Sequence, residues 1–173
     1  MTYATKTARG FTIIELMFTI LVLAVLLSLA IPSFTETINN NRITAQNNDF
    51  VTSLNFARSE ALRQVRSVTV CASANSTNCS GATNWSTGWI AFSDLNSDGA
   101  LNGADPLLQA WPATGNGMTL NSTTRSFVRY GSNGVASGTE TFRLTKSGCS
   151  GDKAREVTIS TTGRVNTRKI ACS

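Results

Sequence analysis

The sequence predicts an α+β fold, a long N-terminal helix packed on an antiparallel β-sheet or two-sheet sandwich. Three observations predict it. Residues 11–31 form an apolar run whose single charge is Glu15. A second helical stretch follows, with Phe50, Leu54, Ala57, Ala61 and Val65 in one apolar stripe. Beyond Arg66 the pattern changes to short runs of Val, Ile, Phe and Thr between Gly, Asn and Ser clusters.

The first element is a helix expected from about Phe11 to Val65. Its first part, residues 11–33, matches the roughly 20 apolar residues that a bilayer span needs. Lys6 and Arg9 precede it and no acidic residue does, which places the N-terminus on the cytoplasmic side and the head outside. A secretory signal peptide would have a shorter core and an Ala-x-Ala site; here the run ends in Ile31-Pro32-Ser33-Phe34. Pro32 lacks an N–H and crowds the preceding turn, so a kink or local opening is expected there. Residues 34–66 form the amphipathic second half, with Arg58, Glu60, Arg63 and Arg66 opposite the stripe. Glu15 is the anomaly. A carboxylate in an apolar helix is costly and needs a partner, unless it lies near enough to the helix end to reach headgroup water. If the chain is cut after Gly10, the new amine of Phe11 supplies a cation that can pair with Glu15 of a neighbouring copy.

The head, residues 67–173, is expected to hold strands at 67–72, 88–93, 107–111, 126–130, 141–146, 156–161 and 164–170. Residues 160–164 read as the turn of a terminal hairpin. Cys71, Cys79, Cys149 and Cys172 are an even set without Cys-x-x-Cys spacing, the pattern of disulfides in an oxidising compartment. Of three connectivities the local one, Cys71–Cys79 and Cys149–Cys172, is expected, because each pair brackets a short excursion. Four buried free thiols are the alternative.

Composition limits the chemistry. Histidine is absent, which excludes a Ser-His-Asp triad, a Cys-His pair and histidine-ligated metals. The acidic residues are too scattered to single out a catalytic pair, and no enzyme activity is expected. The net charge of +5 is unevenly placed. Residues 68–124 contain no Lys or Arg and carry Asp94, Asp98 and Asp105. From Arg125 on, nine basic residues face only Glu140, Asp152 and Glu156. Such a dipole suits head-to-tail contact between subunits, or contact with DNA.

Two motifs could carry binding. In residues 94–105, oxygen side chains fall at loop positions 1, 3, 5, 9 and 12 with glycine at 6, the calcium-loop spacing. Asp94, Asn96, Asp98, the Ala100 carbonyl, Asn102 and Asp105 would form the shell of a structural calcium. An Asx- and Gly-rich surface turn favours the same residue types. No other cofactor is implied. In the C-terminal strand, Arg164, Asn166 and Arg168 alternate onto one face, followed by Lys169. This basic row suits phosphate contacts; a solvated strand face is the alternative. Trp85, Trp89 and Trp111 fall in separate segments without basic interleaving, and read as core or rim rather than a stacking platform.

The segment Gly10-Phe11-Thr12-Ile13-Ile14-Glu15-Leu16-Met17 resembles the type IV prepilin (class III) signal. That resemblance implies that residues 1–10 are a leader removed by a prepilin peptidase, which methylates the Phe11 amine, and that Glu15 and Pro32 serve assembly. Farther on, Phe56-Ala57-Arg58-Ser59-Glu60-Ala61, Ser67-Val68-Thr69-Val70-Cys71, Gly88-Trp89-Ile90-Ala91-Phe92 and Thr162-Gly163-Arg164 are similar to the GspH/FimT family. It implies a filament subunit, either a minor pilin near the tip of a type IV pilus or the H pseudopilin of type II secretion. Such a subunit is a single-pass inner-membrane protein with a periplasmic head, which then joins other pilins or pseudopilins through its N-terminal helix. Some members that bind DNA for natural transformation carry Gly-Arg-x-Arg at the C-terminal motif. Here Asn166 replaces the second Arg, and only weak DNA binding through Arg164, Arg168 and Lys169 is expected.

Overall fold

The computed structural model describes residues 10–115 and 117–172, the side chains of 29–33 excepted. Residues 1–9 of the expected leader, residues 1–10, lie outside them. One helix, α1, runs Ile13–Gln64. Eight strands follow: β1 Val68–Ala72, β2 Trp89–Ser93, β3 Leu107–Trp111, β4 Met118–Ser122, β5 Phe127–Tyr130, β6 Glu140–Lys146, β7 Ala154–Ile159 and β8 Val165–Ile170. The chain separates into two compact units, Met1–Asn39 and Asn40–Ser173.

α1 is continuous across residue 32, so the local opening expected at Pro32 is not a break in the element. The helix starts at Thr12, whose Oγ1 accepts the Glu15 N–H at 3.3 Å, an N-cap bond that satisfies one of the orphan amides of the first turn. It stops at Gln64 because Val65 turns left-handed, with φ 54°. The Arg66 N–H then reaches back to the Ala61 carbonyl at 3.2 Å, the long bond of a Schellman ending. Val65 is therefore not the last member of the apolar stripe. It is 73% exposed, since the reversed backbone turns it away from the core.

In the second unit the strands form two four-stranded antiparallel sheets, ordered β3-β2-β1-β5 and β4-β6-β7-β8. The helix from Ile43 to Ala61 buries its stripe between residues of both sheets. Phe50 stands at the centre, edge-on to Trp85, Trp89 and Phe142 with ring centroids 4.8–5.8 Å apart. Trp111 stacks on Trp89, so all three tryptophans share this core. Every residue of both buried hydrophobic clusters lies within Asn40–Ser173.

The sheet faces explain the strand sequences. β4 alternates between buried and exposed residues, whereas β1 and β2 are buried on both faces. The outer face of β1 and β2 is sealed by a second cluster of Cys71, Ile90 and Phe92 with Cys79, Leu101 and Phe127. The Cys71–Cys79 disulfide and the acidic loop are thus the cover of the first sheet. The strand β4 was not expected from the sequence, because Met118-Thr119-Leu120-Asn121-Ser122 contains no β-branched or aromatic residue except Thr119. Pairing with β6 makes it a strand.

Candidate functional site

Three places in the chain answer to the residues singled out by sequence. The first is the N-terminal segment. Gly10 and Phe11 are exposed, Phe11 by 80%, and Glu15 is exposed in the first turn of α1. A carboxylate there faces the positive end of the helix dipole. Thr12 is the residue that sequence reasoning missed at this end, and the Thr-x-x-Glu spacing of a capping box was its signal. From Ile13 to Leu27 the large apolar side chains are 40–81% exposed. This is far more apolar surface than a lone soluble chain presents, and it calls for a covering partner. Among the described residues, which leave out the side chains of 29–33 at the end of the apolar run, no helix is long and apolar enough to cross a membrane.

The second place is the acidic loop, where the carboxylates of the expected calcium shell accept hydrogen bonds from the chain itself. Asp94 is 1% exposed. One of its oxygens accepts Thr69 Oγ1 at 2.7 Å and the Gly99 N–H at 3.0 Å, and the other accepts the Asp98 N–H at 3.1 Å. Asp98 accepts the Ala100 N–H and the Asn96 and Asn102 amides. Together these bonds hold its carboxyl below the usual range, the Ala100 N–H contributing most. Asp105 accepts the Leu95 and Asn102 N–H groups. Most of these donors belong to the loop itself, as in Asx turns, and Thr69 of β1 adds one. Among the described residues no three acidic or cysteine side chains gather to hold a metal ion.

The third place is β8, at the edge of the second sheet. The strand alternates as expected. Thr167 turns to the helix and donates to Asn47 Oδ1 at 3.0 Å. Arg164, Asn166 and Arg168 take the opposite parity, so Lys169 shares Thr167's side and not theirs. Arg168 has one edge of its guanidinium engaged within the sheet. Its Nε lies 2.6 Å from Glu156 Oε1, directly across the strand pair, and that hydrogen bond pushes the guanidinium further up. Beside the strand, Asn40, Thr44, Asn47, Asn48, Arg155, Thr167, Arg168 and Lys169 line an open groove of about 380 Å³. Arg155, 6% exposed, closes its floor. It donates to the Lys153 and Ala154 carbonyls, to Asn40 Oδ1 and to Thr44 Oγ1, so it fastens β7 to the helix.

Two of the motifs quoted above meet in space. Arg58, expected on the solvent side of the helix, donates to the Gly134 carbonyl at 3.0 Å and to the Thr162 carbonyl at 3.0 Å. Gly163, at φ 77°, lies against the same carbonyl and guanidinium. Both disulfides are the local pairs, Cys71–Cys79 and Cys149–Cys172, with Cα atoms 5.6 and 5.9 Å apart. The second, with a bond from the Cys172 N–H to the Gly151 carbonyl at 2.9 Å, ties the end of the chain to the β6–β7 turn.

Residues 46–163 match the family model described as Type II transport protein GspH. Residues 5–31 match the prokaryotic N-terminal methylation motif. The structure is similar to the type IV minor pilin FimU of Pseudomonas aeruginosa (strain PAO1) in space group P21. That match has 21% identity and a TM-score of 0.62, and covers 78% of this chain and 98% of that one. It is also similar to the minor pseudopilin EpsH from the Type 2 Secretion System of Vibrio cholerae, at 13% identity and a TM-score of 0.50, covering 75% and 97%. At these identities the likeness is one of fold. No curated protein matches the sequence. With the matched family model spanning most of the two-sheet head and the methylation motif in front of it, this chain belongs to the GspH family.

Proposed function

We propose that the chain is a minor pilin, a structural subunit that works by polymerising and helps to start or cap a type IV pilus. The observation that carries this reading is the exposed apolar helix start behind Gly10-Phe11, joined to a head with its own complete core. In this reading a prepilin peptidase cuts after Gly10 and methylates Phe11. The apolar stretch holds the subunit in the inner membrane, with the head in the periplasm, until neighbouring helices cover it. Glu15 accepts the Phe11 amine of an adjoining subunit and sets its register. The same chemistry serves a pseudopilus, and the GspH family model favours that second reading. The greater similarity in fold to the minor pilin favours the first.

The test is a deletion strain. Loss of surface fibres, restored by the full chain and not by Gly10→Arg, supports the pilus. Normal fibres with blocked export of secreted enzymes would assign the chain to secretion instead. Mass spectrometry of the assembled protein should find a chain that starts at methylated Phe11. A Met1 start in filaments would refute the processing step.

A further inference from the structure

Four strands lie at sheet edges: β3 and β5 in the first sheet, β4 and β8 in the second. A free edge is a row of unpaired backbone donors and acceptors, and proteins blunt it with cover or with charge. β5 is covered: the Ser137 N–H donates to the Arg129 carbonyl, and Ala136 bridges to Tyr130. β4 is covered too. The Trp85 N–H donates to the Leu120 carbonyl, the Ser122 N–H to the Thr83 carbonyl, and Ser86 Oγ accepts the Leu120 N–H. β8 carries Arg168 and Lys169.

Among the described residues β3 alone has neither cover nor charge; its edge is limited only by the flanking prolines and by a register shift against β2 between Ala91 and Phe92. Leu107-Leu108-Gln109-Ala110-Trp111 bears no charge, and Leu107, Gln109 and Ala110 are exposed. No described segment pairs with its outer side. Pro106 and Pro112 bound it. Neither has an N–H to donate, so a partner strand finds a window of five residues. The chain running into β3 is the acidic loop, and residues 68–124 hold Asp94, Asp98 and Asp105 without one Lys or Arg.

We propose that β3 is a strand-addition site, which receives an extended, uncharged strand of a neighbouring filament subunit flanked by a basic residue. Main-chain hydrogen bonds along the five residues supply the attraction, and Leu107 and Ala110 supply apolar contact. The acidic loop selects for the basic flank and against acidic competitors. Open-ended growth suits such a contact, because it joins two different surfaces and does not close on itself.

The proposal rests on the filament reading, and one experiment separates the two. Hydrogen exchange is measured on the full chain alone in detergent and within filaments purified from cells that express it. Amides of residues 107–111 should exchange at least tenfold more slowly in the filament, with those of 165–170 unchanged. Ala110→Lys should cut incorporation at least tenfold, whereas Thr119→Lys, on the covered β4, should not. Absence of the chain from purified filaments would refute the filament reading and this one with it. A chain that is present in filaments but has unprotected 107–111 amides would refute only strand addition. Protection of 107–111 already in the isolated chain, rising with its concentration, would show pairing between copies and overturn the choice of partner.

Discussion

Gly163 has two independent reasons to be glycine. Its φ of 77° disfavours any side chain, and a Cβ there would overlap the Gly134 carbonyl oxygen and crowd Arg58 Nε. The backbone cost is about 1–2 kcal/mol, and forced repacking adds about 1–3. Gly163→Ala should therefore lower stability by about 3 kcal/mol, read as a fall in the denaturation midpoint. An unchanged midpoint would show that the Arg58 clasp is loose. Glu140 is the other residue on which much depends. It is 4% exposed. Burial works to raise its pKa, but the Thr123 and Thr124 hydroxyls, the Thr141 N–H and Ser122 outweigh burial and hold it below 4.5. A depressed folded pKa contributes stability above the unfolded value and loses it as pH falls through the folded one. Stability should thus decline below about pH 4.5, with Glu60 and Asp98, also held low, contributing from the surface. Glu140→Gln should cost about 1–3 kcal/mol at neutral pH and flatten that acid limb in pH-dependent melts. An acid limb of unchanged slope would assign the decline to other carboxylates.

At the scale of elements, the last strand is held by few contacts of its own. Its four central residues, Asn166, Thr167, Arg168 and Lys169, are exposed, and only Thr167 reaches the helix by a described side-chain bond. What secures it is the ladder with β7, the Arg143 bond to the Ala171 carbonyl at 2.7 Å, and the Cys149–Cys172 disulfide. Replacing both cysteines by serine should cost about 2–4 kcal/mol and speed amide exchange selectively in residues 165–170. Uniform exchange through the head would instead show that the bond supports the whole fold. The element pattern was legible in the sequence wherever a local signal existed. The helix, seven of the eight strands and the 160–164 turn announce themselves through periodicity and punctuation. β4 does not, because its residues are strand-forming only when β6 lies alongside. β7 begins at Ala154, two residues earlier than its β-branched run suggests, because its register with β8 extends to Ile170.

At the scale of the whole molecule, the two units divide the labour. The head can be complete in itself, since its clusters need nothing before Asn40. The first unit exposes apolar side chains from Ile13 to Leu27, and in the proposed reading assembly covers them. Glu15→Ala should then leave membrane insertion intact or improved, because a charge is removed from an apolar stretch, while fibre assembly falls. Fractionation and fibre counts in the same strain separate the two effects. Normal fibre numbers would rule out a pairing role for Glu15.

By itself the sequence determined the class of this protein. The Gly10-Phe11 junction, the apolar run, the helical stripe and the cysteine spacing are local or periodic signals, and such signals survive without coordinates. What only the tertiary structure decided are the matters that depend on where side chains meet. The spacing of residues 94–105 is compatible with a cation shell. Asp94, however, is turned inward by Thr69 of β1 and by Gly99 of its own loop, and the loop became a cover for the first sheet. The alternation in β8 is visible in the sequence, but the neutralisation of Arg168 by Glu156 depends on strand register. The free edge of β3 shows only when the covers on β4 and β5 are in place. One-dimensional periodicity reports which face a residue takes; which partner waits on that face is set by long-range pairing.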